Sequence, residues 1–355
     1  MIIYRILTIN LGSTSSKLAY YENEKCLVRT TLEHSAAELA VYQNIMDQTD
    51  YRRGAIEGFL GKNGIDLENL DVIASRGGHT VPLEGGVYRI NDRMLGQIAT
   101  GRYGRHACDM GSGIACRMAA GRKAIPIVVD PPVTDEFIAV ARLSGHPELP
   151  RSSRFHALNQ RATGKRYARD NGAKYADLNL VVAHMGGGIS VAAHRQGRMI
   201  DANNALDGDG PFSTNRTGSL PVGALVDLCF SGRYRHDEIK NMLNGQGGLM
   251  AYLQETDVRT VEAKAAADPH YALCLEGMVY QVCKEIGAMA AVLAGKVDAT
   301  VLTGGIANSE KIVGMIKDRV GFIAPVAVYP GENEMDALAL GAMEAMQGRE
   351  PLKLL

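Results

Sequence analysis

The 355-residue chain is 46% hydrophobic and 22% charged, and its 38 Lys plus Arg against 39 Asp plus Glu leave a net charge of −1. That balance fits a globular protein of two domains and excludes a polyelectrolyte that holds nucleic acid through overall charge. No apolar run approaches the roughly 20 residues that span a bilayer, and residues 1–7 carry no signal-peptide pattern. Neither a membrane nor a nucleic-acid partner is therefore expected. Cys26, Cys108, Cys116, Cys229, Cys274 and Cys283 show no CxxC pair and no metal spacing, so they read as reduced thiols in a cytoplasmic protein.

Short β-branched runs alternate with longer amphipathic stretches, the pattern of an α/β fold. Strands are expected at Tyr4–Ile9, Leu18–Tyr21 and Lys25–Thr31, with the polar turn Asn10-Leu11-Gly12-Ser13-Thr14-Ser15-Ser16-Lys17 between the first two. Helical stretches follow around 35–63. A short strand, Val72–Ser75, ends in Arg76-Gly77-Gly78. Helices are expected near 91–100 and 108–120. The strand Ile125–Val129 stops at Asp130-Pro131-Pro132, since proline cannot continue a ladder.

The second half repeats the theme. Leu178–Ala183 runs into His184-Met185-Gly186-Gly187-Gly188-Ile189-Ser190, then Val191–His194 and Arg198–Asp201. Gly12 and Gly186 stand 174 positions apart, which points to an internal duplication. Ala299–Thr303, ending in Gly304-Gly305, matches Val72–Ser75 with its glycines. The extra length falls between 203 and 270, and helices are expected at 272–294, 309–320 and about 335–347. Gly145, Pro147 and Pro150 suggest a boundary near 145–155. The expected lobes are 1–150, completed by the C-terminal helix at about 337–355, and 151–336.

The two turns are where chemistry is expected. A turn of small residues gathers backbone N–H groups at one concave point, hydroxyls add donors, and such a nest binds phosphate without a helix dipole. Either turn alone reads first as an ordinary Gly/Ser hairpin. Two at equivalent positions of a repeat favour a pair of cradles facing one another across a cleft and gripping a polyphosphate. Residues 12–17 lack the second glycine of a Walker A motif, and no GxGxxG, HExxH or GxSxG occurs. Arg76, Asp130, His184 and the 303–305 turn fall at the ends of expected strands, where α/β sheets place ligand crevices. Asp130 is equally consistent with a helix cap, and Arg76 with a solvated surface cation. His156 and His184 stand out among nine histidines. Arg216 follows the loop Asp207-Gly208-Asp209-Gly210-Pro211, which is either functional or simply flexible. The acidic segment ending at Glu332-Asn333-Glu334 either complements a helix N-terminus or serves the water shell of a nucleotide-bound Mg²⁺.

Taken in chain order, residues 9–17, Ser75-Arg76-Gly77-Gly78-His79, Val129-Asp130-Pro131-Pro132, Arg154-Phe155-His156-Ala157-Leu158-Asn159-Gln160, residues 184–190, Leu302-Thr303-Gly304-Gly305-Ile306-Ala307-Asn308 and Asn333-Glu334 resemble the acetate and butyrate kinase family, within the sugar-kinase and actin superfamily. Arg105-His106-Ala107-Cys108-Asp109 and Asp130-Pro131-Pro132 look like its butyrate branch. The resemblance implies a duplicated ribonuclease H-like fold with two lobes around a nucleotide cleft. It implies an ATP-dependent carboxylate kinase, butanoate plus ATP to butanoyl phosphate plus ADP, by direct in-line transfer with Mg²⁺, in a cytoplasmic homo-oligomer. Branched-chain fatty acid, propionate and acetate kinases are near alternatives; a sugar kinase or an actin-like binding module is more distant.

By that resemblance Asn10, Ser13, Thr14, Ser15 and Ser16 touch phosphates and the Mg²⁺ shell, and Glu334 holds that shell with Asn10. Arg76 and Arg216 clamp the carboxylate and the phosphoryl group, Asp130 orients the metal or the attacking group, and His156 and His184 stabilise the transition state. Gly186, Gly187, Gly188, Gly304, Gly305 and Asn308 form the nucleotide turns, with Asp257, Val258 and Arg259 on the adenosine side. Phe155 and His106 line the acyl pocket. The glycine triplet replaces a more polar turn of acetate kinases, and Arg105 stands where an aliphatic residue lines their pocket. A fatty acid with a carboxyl pKa near 4–5 is ionised at neutral pH, so no general base is required. The obstacle is repulsion between two anions, about 4 kcal/mol per pair of unit charges at 4 Å and an effective dielectric near 20. Arginines suit both planar carboxylate and phosphoryl oxygens.

Overall fold

The structure, a computed structural model, describes residues 2–355. The strands in chain order are β1 (Arg5–Leu11), β2 (Ser15–Glu22), β3 (Lys25–Glu33), β4 (Val72–Ser75), β5 (Val87–Arg89), β6 (Ile125–Val129), β7 (Asn179–Met185), β8 (Ile189–Arg195), β9 (Arg198–Ala202), β10 (Ala299–Gly304), β11 (Val326–Pro330) and β12 (Leu352–Lys353). Two compact units divide the chain, 1–135 with 333–355 and 136–332.

The first unit is built on a seven-stranded sheet in the order β12-β5-β6-β4-β1-β2-β3. β1 and β2 pair antiparallel from Arg5↔Glu22 to Leu11↔Ser16, and β4 joins β1 in parallel with Ile9 opposite Ser75. β1 is buried on both faces, which is why it lacks the alternation of a half-exposed strand. One face packs on helix Cys108–Ala119 through Met110, Ile114 and Met118, and helix Glu334–Met346 contributes Leu338 and Ala342 as fully buried side chains.

The second unit carries a five-stranded sheet in the order β11-β10-β7-β8-β9. β7 and β8 pair antiparallel, and β10 joins β7 in parallel with Thr303 opposite His184. The arrangement repeats β6-β4-β1-β2-β3, so the duplication read from the 174-residue spacing is present in the strand topology. Helix Pro269–Val292 covers one face of this sheet with Leu275, Met278, Val282 and Ile286. The extra length between 203 and 270 forms four short helices, Val222–Cys229, His236–Leu243, Gly248–Leu253 and Val258–Lys264.

The structure differs from the sequence reading at the unit boundary, at one helix and at the two strands β5 and β11. The break between units falls at Asp135/Glu136, earlier than the Gly145–Pro150 cluster. Glu136 binds Arg161 at 2.6 Å and accepts the Met199 N–H at 2.7 Å, and Phe137 packs against Ala192 and Ala202, so this segment belongs with the second sheet. Helix Ala157–Asp170 is absent from the sequence reading because its inward face carries Asn159, Gln160, Arg161 and Thr163, which hide any apolar stripe. β5 has only three residues, and β11 is half-buried along its length. Among the described residues no helix is long and apolar enough to cross a membrane.

Candidate functional site

In the first unit, the β1–β2 turn is shaped from behind. Arg52, on helix Thr49–Lys62, is fully buried. Its Nη1 donates to Ser15 O at 2.9 Å and to Ser16 Oγ at 3.1 Å, its Nη2 to Ser13 O at 2.8 Å, and Nε and Nη2 both reach Gln48 Oε1. Ser16 Oγ also meets His34 Nε2 at 2.8 Å, and His34 Nδ1 meets the Tyr51 hydroxyl at 2.9 Å. Burial, with Arg52 next to the ring, holds the His34 pKa below its ordinary value. Ser16 is buried and its hydroxyl is committed to Arg52 and His34, so it does not offer the phosphate donor expected of it. Ser13 and Thr14 are exposed and Ser15 is half-buried, so the outward donors of the turn are these three.

Where β1 and β4 end, three of the expected residues meet. Asn10 Nδ2 donates to Glu334 Oε2 at 2.5 Å, and Arg76 Nη1 lies 3.5 Å from Glu334 Oε1. Glu334 opens helix Glu334–Met346, where a carboxylate also suits the positive end of the dipole. Asn10 Oδ1 and the Glu334 carboxylate are hard oxygen ligands of the kind Mg²⁺ takes, so this donor set fits that ion. Asp130 is buried with φ +39, and it caps no helix. Its N–H donates to Gly86 O at 2.9 Å and its Oδ1 accepts the Gly86 N–H at 2.7 Å, which clasps the chain beside β5.

His106 precedes helix Cys108–Ala119. Burial first, then the nearby Arg76 and His79, hold its pKa below the ordinary histidine value. Asp109, which the sequence reading did not single out, organises this corner. Its Oδ1 accepts from His79 N and Nδ1, and its Oδ2 accepts the His106 N–H at 2.8 Å. Burial opposes its charge, but these bonds hold the carboxyl below its usual range. Arg105 Nη2 donates to Ala99 O at 3.1 Å, at the end of helix Asp92–Thr100.

In the second unit, His184 ends β7 and is buried. Its Nδ1 meets Asn159 Oδ1 at 2.8 Å; its buried Nε2 has no hydrogen-bond partner, with Glu332 Oε1 3.5 Å away. The His156 ring stacks on it, centroids 3.9 Å apart and 17° from parallel. Arg216 lies over the adjoining turn. Its Nη1 donates to Ala205 O at 2.6 Å, its buried Nε has no hydrogen-bond partner, and a Cβ placed on Gly188 would collide with Nη1. The close approach of the guanidinium is the physical reason for glycine at 188. Burial lowers the Arg216 pKa while Asp207 works to raise it, and an arginine stays charged at neutral pH regardless.

Gly304 has φ +89, and a side chain there would strike the Met185 carbonyl, so the 304 turn lies against the end of β7. Gly304 and Gly331 exchange backbone bonds at 3.2 and 2.9 Å, and Asn308 Nδ2 donates to Gly305 O at 2.9 Å. The structure thus brings His156, His184, Gly186, Gly188, Arg216, Gly304 and Glu332 to the C-terminal ends of β7, β10 and β11. Asp257 and Arg259 are elsewhere occupied: Asp257 caps helix Val258–Lys264 and binds Arg259 Nη2 at 2.6 Å, both groups exposed. The Arg259 N–H and guanidinium hold the Asp257 pKa down at about 2. Val258 packs on the core of its unit, and Phe155 stacks on Phe137 at 6.3 Å.

Residues 150–328 match the acetokinase family. A probable butyrate kinase of Clostridium botulinum is 48% identical over 353 residues, and butyrate kinase 2 of Clostridium acetobutylicum is 47% identical over 351; each alignment covers 99% of both chains. The acetate kinase structure of Porphyromonas gingivalis superposes with a TM-score of 0.79 at 17% identity, covering 97% of this chain and 99% of that one. On the identity and coverage of these matches, the chain belongs to the acetokinase family.

Proposed function

We propose that the protein is an ATP-dependent carboxylate kinase that converts butanoate to butanoyl phosphate, reversibly. The observation that carries this reading is full-length identity of 47–48% to proteins named as butyrate kinases. The charge inventory supports it. The acceptor is already an anion at neutral pH, so the chain needs no base and must instead offset repulsion between carboxylate and phosphate. Arg76 of the first unit and Arg216 of the second are the two guanidinium groups for that task, one held by Glu334 and one by Ala205 O. Phosphoryl transfer depends mostly on positioning and charge stabilisation, which is what fixed forks of N–H donors supply.

Asn10 and Glu334 would hold Mg²⁺, which neutralises phosphate charge when bound with ATP. Ser13, Thr14 and Ser15 offer donors to phosphate oxygens from the first turn, and the 186–188 and 304–308 turns do so from the second unit. His156 would donate to an oxygen of the phosphoryl group, and His184, stacked on the His156 ring, would hold that ring in place. Asp130 acts on the attacking side by fixing the backbone at Gly86. Phe155 and His106 border the acyl chain. The test is a steady-state panel of linear and branched C2 to C6 acids with MgATP, trapping product with hydroxylamine. An acyl phosphate yields a hydroxamate and a sugar phosphate does not. Butanoate should give the highest kcat/KM, although one methylene is worth only about 1–3 kcal/mol of discrimination. ATP turnover that ignores every acid would refute the reading.

A further inference from the structure

Behind His156 runs a chain of buried polar groups whose hydrogen-bond directions are all determined. It begins at the Ser190 carbonyl, which can only accept. Gln160 approaches it at 3.1 Å, so the atom facing it is Nε2 and the opposite Oε1 faces His194. An amide oxygen also only accepts, so His194 Nε2 carries a proton and donates it over 3.0 Å. His194 is completely buried, and that burial, with Arg161 nearby, pushes its pKa down to about 3. It is neutral, its Nδ1 is bare, and it accepts the Tyr175 hydroxyl proton over 2.8 Å.

The other end follows by elimination. Ser190 Oγ accepts from Gln160 Nε2 at 2.8 Å and, weakly, from the His156 N–H at 3.5 Å. Among the described residues its own proton has one acceptor, His156 Nδ1 at 2.9 Å. Were His156 to donate from Nδ1 instead, the buried Ser190 O–H would lose its acceptor, which a buried hydroxyl does not tolerate cheaply. A bare Nδ1 on a neutral ring places the proton on Nε2. Stacking agrees with this: at a centroid distance of 3.9 Å, His156 and His184 would repel one another if both rings were protonated.

We propose that Tyr175, His194, Gln160 and Ser190 form a one-way hydrogen-bond chain that locks His156 as the Nε2–H tautomer, a neutral donor to an oxygen of the transferring phosphoryl group. Gln160 and Ser190 are positioning residues; His156 makes the contact. The phosphoryl role rests on the kinase reading above, whereas the lock is a property of the protein alone. His184 is set the other way, since its Nδ1–H points to Asn159 Oδ1. The stacked pair therefore carries its protons on opposite ring nitrogens, Nε2 of His156 and Nδ1 of His184.

The test is a long-range ¹H–¹⁵N correlation on ¹⁵N-histidine protein, with His156 signals identified by their loss in His156→Gln. The expected spectrum shows His156 with a bare Nδ1 and a protonated Nε2. Gln160→Glu replaces the donor with a group that only accepts, captures the Ser190 proton and forces His156 to the Nδ1–H tautomer. In the hydroxamate assay its kcat should fall about 10²-fold with KM changed little, as for the loss of one preorganised donor. Ser190→Ala, which adds no bulk, deletes the link and should give a mixture of tautomers with a similar loss, so the idea stays testable if Gln160→Glu does not fold. An Nδ1–H tautomer in the unsubstituted protein overturns the lock. A switched tautomer with unchanged kcat overturns its role in transfer. Absence of any acyl phosphate refutes the kinase reading, and the spectrum still decides the lock.

Discussion

β2 and β8 each begin beside a buried serine, Ser16 and Ser190, at the same 174-residue spacing as Gly12 and Gly186. Both hydroxyls touch a histidine, His34 at 2.8 Å and His156 at 2.9 Å, and both accept from a side chain on a helix. The likeness ends with that helix donor. In the first unit it is the guanidinium of Arg52, which also ties down the carbonyls of Ser13 and Ser15. In the second it is the neutral amide of Gln160, and the nearby cation, Arg216, lies on the turn itself and excludes any side chain at 188. The duplication has kept the serine and moved the charge. A turn with its cation behind it can carry Ser and Thr outward, whereas a turn with its cation on top needs glycine at the position beneath the guanidinium, 188.

The largest effects should come from the arginine that each unit contributes. Arg76→Ala and Arg216→Ala should each lower kcat at least 10²-fold in the hydroxamate assay, the scale of losing one preorganised donor. Similar losses would mean that the two units carry comparable shares of charge stabilisation. Near-normal turnover by either variant would assign the clamp to one unit only. Next comes the charge behind the first turn. Arg52→Met strands the carbonyls of Ser13 and Ser15 and the amide oxygen of Gln48, and should cost about 2–3 kcal/mol in urea unfolding. A loss below 0.5 kcal/mol, on the scale of an ordinary surface substitution, would show that the turn holds its shape without the buried cation.

Much of this was legible from residue order. Val72–Ser75 and Ile125–Val129 are strands with the expected ends, because β-branched runs bounded by Gly or Pro leave little choice. Asn10, Arg76 and Glu334 were each singled out, and they meet. The resemblance puts Ser16 among the phosphate donors, yet strand parity points it inward: Leu18, two residues on, is buried on the same side of β2. Arg52, Gln160 and His194 were invisible for a different reason. Each is polar and fully buried, and a pattern that reads polar residues as surface cannot find them. The serines at equal spacing were the available clue, since a repeated buried hydroxyl demands a repeated partner.

The two histidine networks should also separate in acid. His194 titrates at about 3 in the fold and near 6.5 unfolded. Between those values the unfolded chain binds a proton that the native chain does not, so its contribution is complete above pH 6.5 and is lost as pH falls toward 3. The slope is about 1.4 kcal/mol per pH unit for one such group. His194→Gln keeps an amide N–H for Gln160 Oε1 and cannot titrate, so its stability should fall less steeply from pH 6.5 to 4.5 than that of the parent protein. His34 is shifted in the same direction, and His34→Gln should flatten the curve over the upper part of that interval. Identical slopes for the parent and His194→Gln would mean that His194 is charged in the fold.

The smallest effect lies within the glycine triplet. Gly188→Ala puts a methyl group where Arg216 Nη1 lies, so the guanidinium must move and kcat should fall about tenfold, close to 1.4 kcal/mol in the barrier. Gly187 is exposed, has no positive φ, and a Cβ there meets nothing within 4 Å. Gly187→Ala should therefore keep kcat within about twofold, well under one factor of ten on the same scale. The pair differs by one position and by nothing in chemistry, so a gap between them measures the displacement of Arg216 directly. Equal activity in both would mean that Arg216 swings clear at no cost, and that glycine at 188 answers to some other contact, such as the Ala205 carbonyl 3.1 Å from the same Cβ.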